Sequence, residues 1–168
     1  MEPTAYHQIG KFIVNFQHVE AAINEILVLL CPAEDEEAVR ILVNELGYSQ
    51  RLKTADVLLA RFVNLQREPD LSVKTAFHKL MEDLRKLGER RNTLVHSKYV
   101  SWRNVEGIDG FIRQNSRLRP REGIRQEEEE ELLPKAFSED FEHLAKAGRE
   151  IEVFRLKILD WLHPDVRS

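Results

Sequence analysis

The side chains best equipped for chemistry lie together in Arg91-Asn92-Thr93-Leu94-Val95-His96. A histidine titrates near pH ~6.5 and can give or take a proton close to neutrality, whereas the arginine guanidinium is a permanent planar cation suited to holding an anion. At about 100° per residue, Arg91 falls in line with Phe77, Leu80, Leu84 and Leu87, so a cation occupies the centre of an otherwise apolar helical stripe. A charge there needs either a buried partner, for which Glu20 and Glu25 are candidates, or a cleft that an anion can enter. Asn92 and His96 are four residues apart and share a face. His96 lies about 140° around an ideal helix from Arg91. The two converge only if Arg91 reaches around, the helix distorts, or a second subunit completes the site.

The elements that must position these residues are read from apolar spacing. Ile9, Phe12, Ile13, Phe16, Val19, Ile23, Ile26, Leu27 and Leu30 recur at three and four, predicting a helix from Thr4, its N-cap, to Leu30, stopped by Pro32. A second helix is expected from about Glu34 to Leu46, with Val39, Leu42, Val43 and Leu46 inward and Gly47 at its end. Ser49 offers the N-cap of a third, to about Gln66, with Leu52, Ala55, Leu59, Phe62 and Val63 inward. The fourth runs from about Ser72 to Lys98 on Val73, Phe77, Leu80, Met81, Leu84, Leu87, Leu94 and Val95, and carries the motif near its end. Between residues 99 and 118 β-favouring residues interrupted by Gly107 and Gly110 suggest a short hairpin or irregular excursion, and residues 119–134 read as a mobile charged loop. Ser138, followed by Glu139 and Asp140, is the expected N-cap of a last helix on Phe141, Leu144, Ile151, Phe154, Ile158, Leu159 and Leu162. The expected fold is therefore all-α. It is a single domain over residues 1–168, a bundle of about five helices with a short β-hairpin-like or irregular insert at about 99–134 before the last helix.

Composition fits one globular domain: 168 residues, 42% apolar, with only 7 Gly and 6 Pro, too few for a fibrous or disordered chain. Uninterrupted apolar runs fall short of the ~18 residues of a membrane span, so no transmembrane helix is expected. The N-terminal residues lack the pattern of a secretory signal, and the lone Cys31 excludes an intrachain disulfide. A reduced, cytoplasmic setting is expected. The net charge of −4 conceals an asymmetry. Arg85 to Arg125 contains eleven basic and four acidic residues, a local +7, which leaves −11 for the remainder. Such a segment suits selective binding of a polyanion, because the acidic remainder repels it elsewhere. The glutamates at 127–131 read as a solvated helix start or loop.

The Arg91-Asn92-(three residues)-His96 motif, late in a helical bundle, resembles the signature of HEPN domains (higher eukaryotes and prokaryotes nucleotide-binding). In that family an Arg is followed four to six residues later by His, often with Asn directly after the Arg. The resemblance implies a metal-independent endoribonuclease of toxin or defence type, acting as a homodimer in which two motifs face one composite cleft, with an antitoxin or other regulatory protein as a further partner. A subgroup modified by a nucleotidyltransferase partner carries Tyr two residues after the His; here that position is Lys98, and the tyrosine is Tyr99. RNA can be cleaved by its own 2′-hydroxyl if protons are handled and the extra charge on phosphorus is stabilised. His96 suits the role of general acid or base, Arg91 would hold the scissile phosphate, and Asn92 would orient either by hydrogen bonding. The products would be a 2′,3′-cyclic phosphate and a 5′-hydroxyl. Arg85, Arg90, Lys98 and Arg103 would guide the RNA backbone, with Tyr99 and Trp102 available for base stacking or, alternatively, for packing.

Other chemistries lack their residues. His7, His18, His78, His143 and His163 have no metal-ligand spacing and Cys31 no CxxC companion, so neither a metal nor a cofactor is expected. No Gly-rich phosphate loop, serine nucleophile motif or paired-carboxylate element is present. The alternative from a different class is a helical module that keeps fold and motif for dimerisation, RNA binding or partner binding without turnover.

Overall fold

The computed structural model of the chain describes residues 4–164. Five helices form, α1 (Ala5–Leu30), α2 (Glu36–Glu45), α3 (Tyr48–Asn64), α4 (Leu71–Val95) and α5 (Ser138–Leu162). Their starts have local causes. Thr4 accepts a hydrogen bond from the His7 N–H at 3.2 Å, Asp35 caps α2 through the Ala38 N–H at 3.2 Å, and Asp70 caps α4 through the Ser72 N–H at 2.9 Å. Two expected caps are corrected. The third helix begins at Tyr48, where the Gly47 N–H donates to Gln50 Oε1, and Ser138 continues a 3-10 turn (Pro134–Phe137) without capping α5 through its side chain.

Apolar spacing translates into packing most directly in α1, which lies against the other four helices. Its Phe12, Phe16, Ile23 and Ile26 share one core with Ala55 and Leu59 of α3, Phe77 and Leu84 of α4, and Ile151 and Ile158 of α5. Aromatic pairs lock the helices together: Phe77 meets Phe154 edge-on at 4.9 Å, and Phe62 stacks on Trp161 at 5.6 Å. Averaged over its most apolar window, α1 has mean hydropathy 1.3 and by length and composition alone could cross a membrane, which corrects the expectation that no segment qualifies. Asn15, His18 and Glu20 break its apolar runs without lowering the average enough, and its apolar stripe is enclosed by the bundle. In α2 the inward set is smaller than expected: Val43 is buried, while Leu42 is 68% exposed.

The all-α expectation is corrected by residues 98–132, which form a three-stranded antiparallel sheet, β1 (Lys98–Arg103), β2 (Asp109–Arg119) and β3 (Ile124–Leu132), in the order β1-β2-β3. The stretch expected as a mobile charged loop supplies the turn and the third strand. Side chains alternate along a strand, so Glu128, Glu130 and Leu132 face the side of Asn115, Arg113 and Phe111, which are their cross-strand partners. Phe111 and Leu132 are buried and dock the sheet on the core, where Tyr99 meets Phe111 edge-on. At the β2–β3 turn Gly123 has φ +63°, a left-handed conformation that glycine adopts without steric cost.

Candidate functional site

The motif lies where α4 stops. The helix ends at Val95, not at Lys98 as expected, because the Ser97 hydroxyl donates to Thr93 O and the Tyr99 hydroxyl to Leu94 O, satisfying its last carbonyls as the chain turns into β1. His96 is consequently the C-cap, with φ −103° and ψ 16°, and its N–H bonds to Asn92 O at 3.0 Å.

Arg91 is half-buried beside the Phe16 ring. Its guanidinium carbon sits 5.7 Å from the centroid of Phe16, and Nη1 donates to Asn92 Oδ1 at 2.8 Å. The Phe16 ring meets Tyr48 at 5.1 Å, and the Tyr48 hydroxyl donates to Leu84 O at 2.8 Å. Burial pushes the Tyr48 phenol well above its ordinary range; Glu20 adds to the effect and Arg91 opposes it. Neither candidate partner is available to Arg91, because Glu20 pairs with Arg51 at 3.1 Å and Glu25 with Arg40 at 2.6 Å. Each of the other buried or half-buried arginines, Arg40, Arg51, Arg90, Arg113 and Arg155, has a carboxylate within salt-bridge distance. Among the described residues Arg91 has none.

His96 is exposed on another side of the helix end and lines a shallow cavity of about 410 Å³ in which the cations Lys98 and Arg125 stand with the carboxylates of Glu127, Glu128 and Glu129 and with polar residues of β2. Arg91 does not line it. The structure thus joins Arg91 to Asn92 and leaves Arg91 and His96 facing apart, as the helical angle implied. Comparison with protein-family models, with curated proteins and with solved structures finds no match.

The residues expected to guide RNA are placed differently from one another. Arg90 is redirected to structure: Nε and Nη2 grip Asp140 of α5 at 3.0–3.2 Å, and Nη1 donates to Glu130 of β3 at 2.8 Å. Burial works against its charge, but the hydrogen bonds it donates to these carboxylates outweigh it and raise its pKa. Arg85 is held by Glu82 and Glu89 on its own helix, and Arg103 by Asp109 across the β1–β2 hairpin at 2.6 Å. Lys98 is exposed beside His96, Tyr99 packs on Phe111, and Trp102 is half-buried on the opposite face of β1. Among the described residues no group of three His, Cys, Asp or Glu side chains is placed to hold a metal ion.

Sequence reasoning missed the network that fixes the motif's surroundings. Arg113, only 6% exposed, donates from Nε to the same Glu130 oxygen at 2.7 Å and from Nη1 to the Ser97 hydroxyl at 3.1 Å. Burial alone would raise the Glu130 pKa, yet hydrogen bonds from Arg90 and Arg113 hold it below the ordinary carboxylate range. One carboxylate thereby ties α4, β2 and β3 together next to His96. The available signal was period-two alternation: Arg113 stands two residues from Phe111, and Glu130 two from Leu132.

Proposed function

We propose that the chain is a metal-independent endoribonuclease of HEPN type, with its cleft completed by a second copy. The observation that supports this reading is Arg91, a half-buried cation with no carboxylate in a protein that pairs every comparable arginine. A half-buried guanidinium held by Asn92 is prepared for an anion from outside, and a scissile phosphate is that anion. The 2′-hydroxyl attacks phosphorus, the bond to the 5′-oxygen breaks, and His96 takes the proton from the nucleophile or gives one to the leaving oxygen. Because Arg91 and His96 face apart within one chain, the partner copy supplies the missing half. A reduced, cytoplasmic setting and a regulatory partner protein of antitoxin type accord with this reading.

Purified protein is expected to cleave RNA in excess EDTA and leave a 2′,3′-cyclic phosphate, and His96→Ala or Arg91→Ala to lose at least about 100-fold in rate while melting at the wild-type temperature. Cleavage unchanged in both variants would sink the assignment. The divergence of Arg91 and His96 also favours a second reading, a dimerisation or RNA-binding module without turnover. It predicts RNA that is bound but intact, and a sharp loss of thermal stability in Arg91→Ala.

A further inference from the structure

Pairing between β1 and β2 stops at Lys98 and Gln114, so beyond that point β2 and β3 pair only with each other. They continue as a two-stranded ribbon in which every residue from Ser116 to Glu127 is exposed. Nothing in the bundle core requires this extension, and an unsupported two-stranded ribbon is marginal by itself. Its composition is one-sided. Residues 116–126 carry Arg117, Arg119, Arg121 and Arg125 against Glu122 alone, and all four cations are arginine, the side chain suited to bidentate phosphate contact. Arg117 and Arg119 are two apart on one strand face, roughly 7 Å from each other, similar to the separation of neighbouring phosphates along a nucleic-acid strand.

The pairs these arginines make do not commit them. Arg117 is 3.9 Å from Glu128, Arg119 is 3.4 Å from Glu122, and Arg125 contacts Glu127, all between exposed side chains and therefore weak in water; Arg121 has no carboxylate partner among the described residues. Arg85, by contrast, sits between two carboxylates of its own helix, and Arg90 and Arg113 are locked in the partly buried network. At the ribbon positive charge exceeds its local neutralisation, four arginines against one glutamate, and the glutamates that begin at Glu127 bound it sharply. The ribbon also adjoins the motif, since Ser116 and Arg125 line the same cavity as His96.

We propose that Arg117, Arg119, Arg121 and Arg125 form a clamp for the phosphate backbone of RNA and lay the bound strand toward His96. The choice of RNA as the polyanion rests on the ribonuclease reading; the clamp itself rests on the ribbon. The 168-residue chain is titrated into a fluorescein-labelled 2′-O-methyl RNA hairpin, which cannot be cut, and anisotropy is followed at several salt concentrations. Arg117→Gln/Arg119→Gln/Arg121→Gln is expected to bind at least about tenfold more weakly and to reduce the slope of log K against log salt by roughly two to three. The corresponding Lys variant should keep the wild-type slope. Thermal melting should not change, because no residue from Ser116 to Glu127 is buried; if the triple variant fails to fold, the single Arg121→Glu on the turn is expected to weaken binding several-fold. Wild-type affinity and slope in the Gln variant, or no binding by wild type at low salt, would overturn the clamp. Wild type that binds with the expected slope but never cuts unmodified RNA supports the clamp and overturns the ribonuclease. A Gln variant that binds and cuts as well as wild type overturns the clamp alone.

Discussion

Gly88, one helical turn before Arg91, has no space for even a methyl group: a Cβ there would stand 2.4 Å from Tyr48 Cε1 and 2.8 Å from Cδ1. An alanine inside a helix normally gains about 0.5–1 kcal/mol over glycine. Here the Tyr48 ring cannot swing away, because its hydroxyl is tied to Leu84 O and its face lies against Phe16. Overpacking should therefore win, and Gly88→Ala is expected to destabilise the protein by about 1–3 kcal/mol in urea unfolding. A stabilised variant would mean that the ring is free to move. The same cluster explains why Arg91 was legible in the sequence and Arg90 was not. Helical angle alone shows that Arg91 intrudes on an apolar stripe. Whether a neighbouring arginine is free or paired depends on partners 40 and 50 residues away, Glu130 and Asp140, which no local spacing reveals.

Among the elements, helices were read well because their apolar residues repeat over many turns, and β3 was missed because its repeat is hidden under five identical charges. Alternation gives these glutamates different roles. Glu130, on the inner face with Leu132, anchors Arg90 and Arg113, while Glu127, Glu129 and Glu131 project from the outer face of an edge strand, where like charges discourage pairing with another sheet. The end of α4 was misplaced for a related reason: its terminal carbonyls are satisfied by Ser97 and Tyr99, side chains whose reach depends on the sheet that follows. Glu130 also gives the sheet's attachment a pH dependence of known sign. Its folded pKa is lowered, so the stability it contributes is present above the ordinary glutamate range and is lost as pH falls through the folded value. Glu130→Ala leaves Arg113 without a carboxylate and is expected to cost about 2 kcal/mol at pH 7, less than a fully buried pair because Glu130 is partly solvated. Below about pH 4, the gap between variant and wild type should narrow in denaturant titrations. A gap that widened on acidification would reverse the assigned sign.

For the molecule as a whole, the +7 segment and −11 remainder of the sequence do not survive as two separated regions, because β3 folds its glutamates back onto β2. What persists is a basic ribbon tip on an acidic body, with the motif at its base and Arg91 and His96 turned apart. That arrangement makes oligomeric state part of the proposed chemistry. If Arg91 of one copy serves His96 of another, Arg91→Ala and His96→Ala should complement each other, although each is inactive alone. Co-refolded in equal amounts, half of the dimers would be mixed and would keep one of two Arg91–His96 pairings, giving about a quarter of wild-type cleavage. A site assembled within one chain would give none, since every chain in the mixture lacks one residue. Measured on the same RNA in EDTA, with dimer formation checked by analytical ultracentrifugation, a mixture that dimerises and stays inactive rules out the composite cleft, whereas recovery near one quarter requires that the two residues meet between subunits.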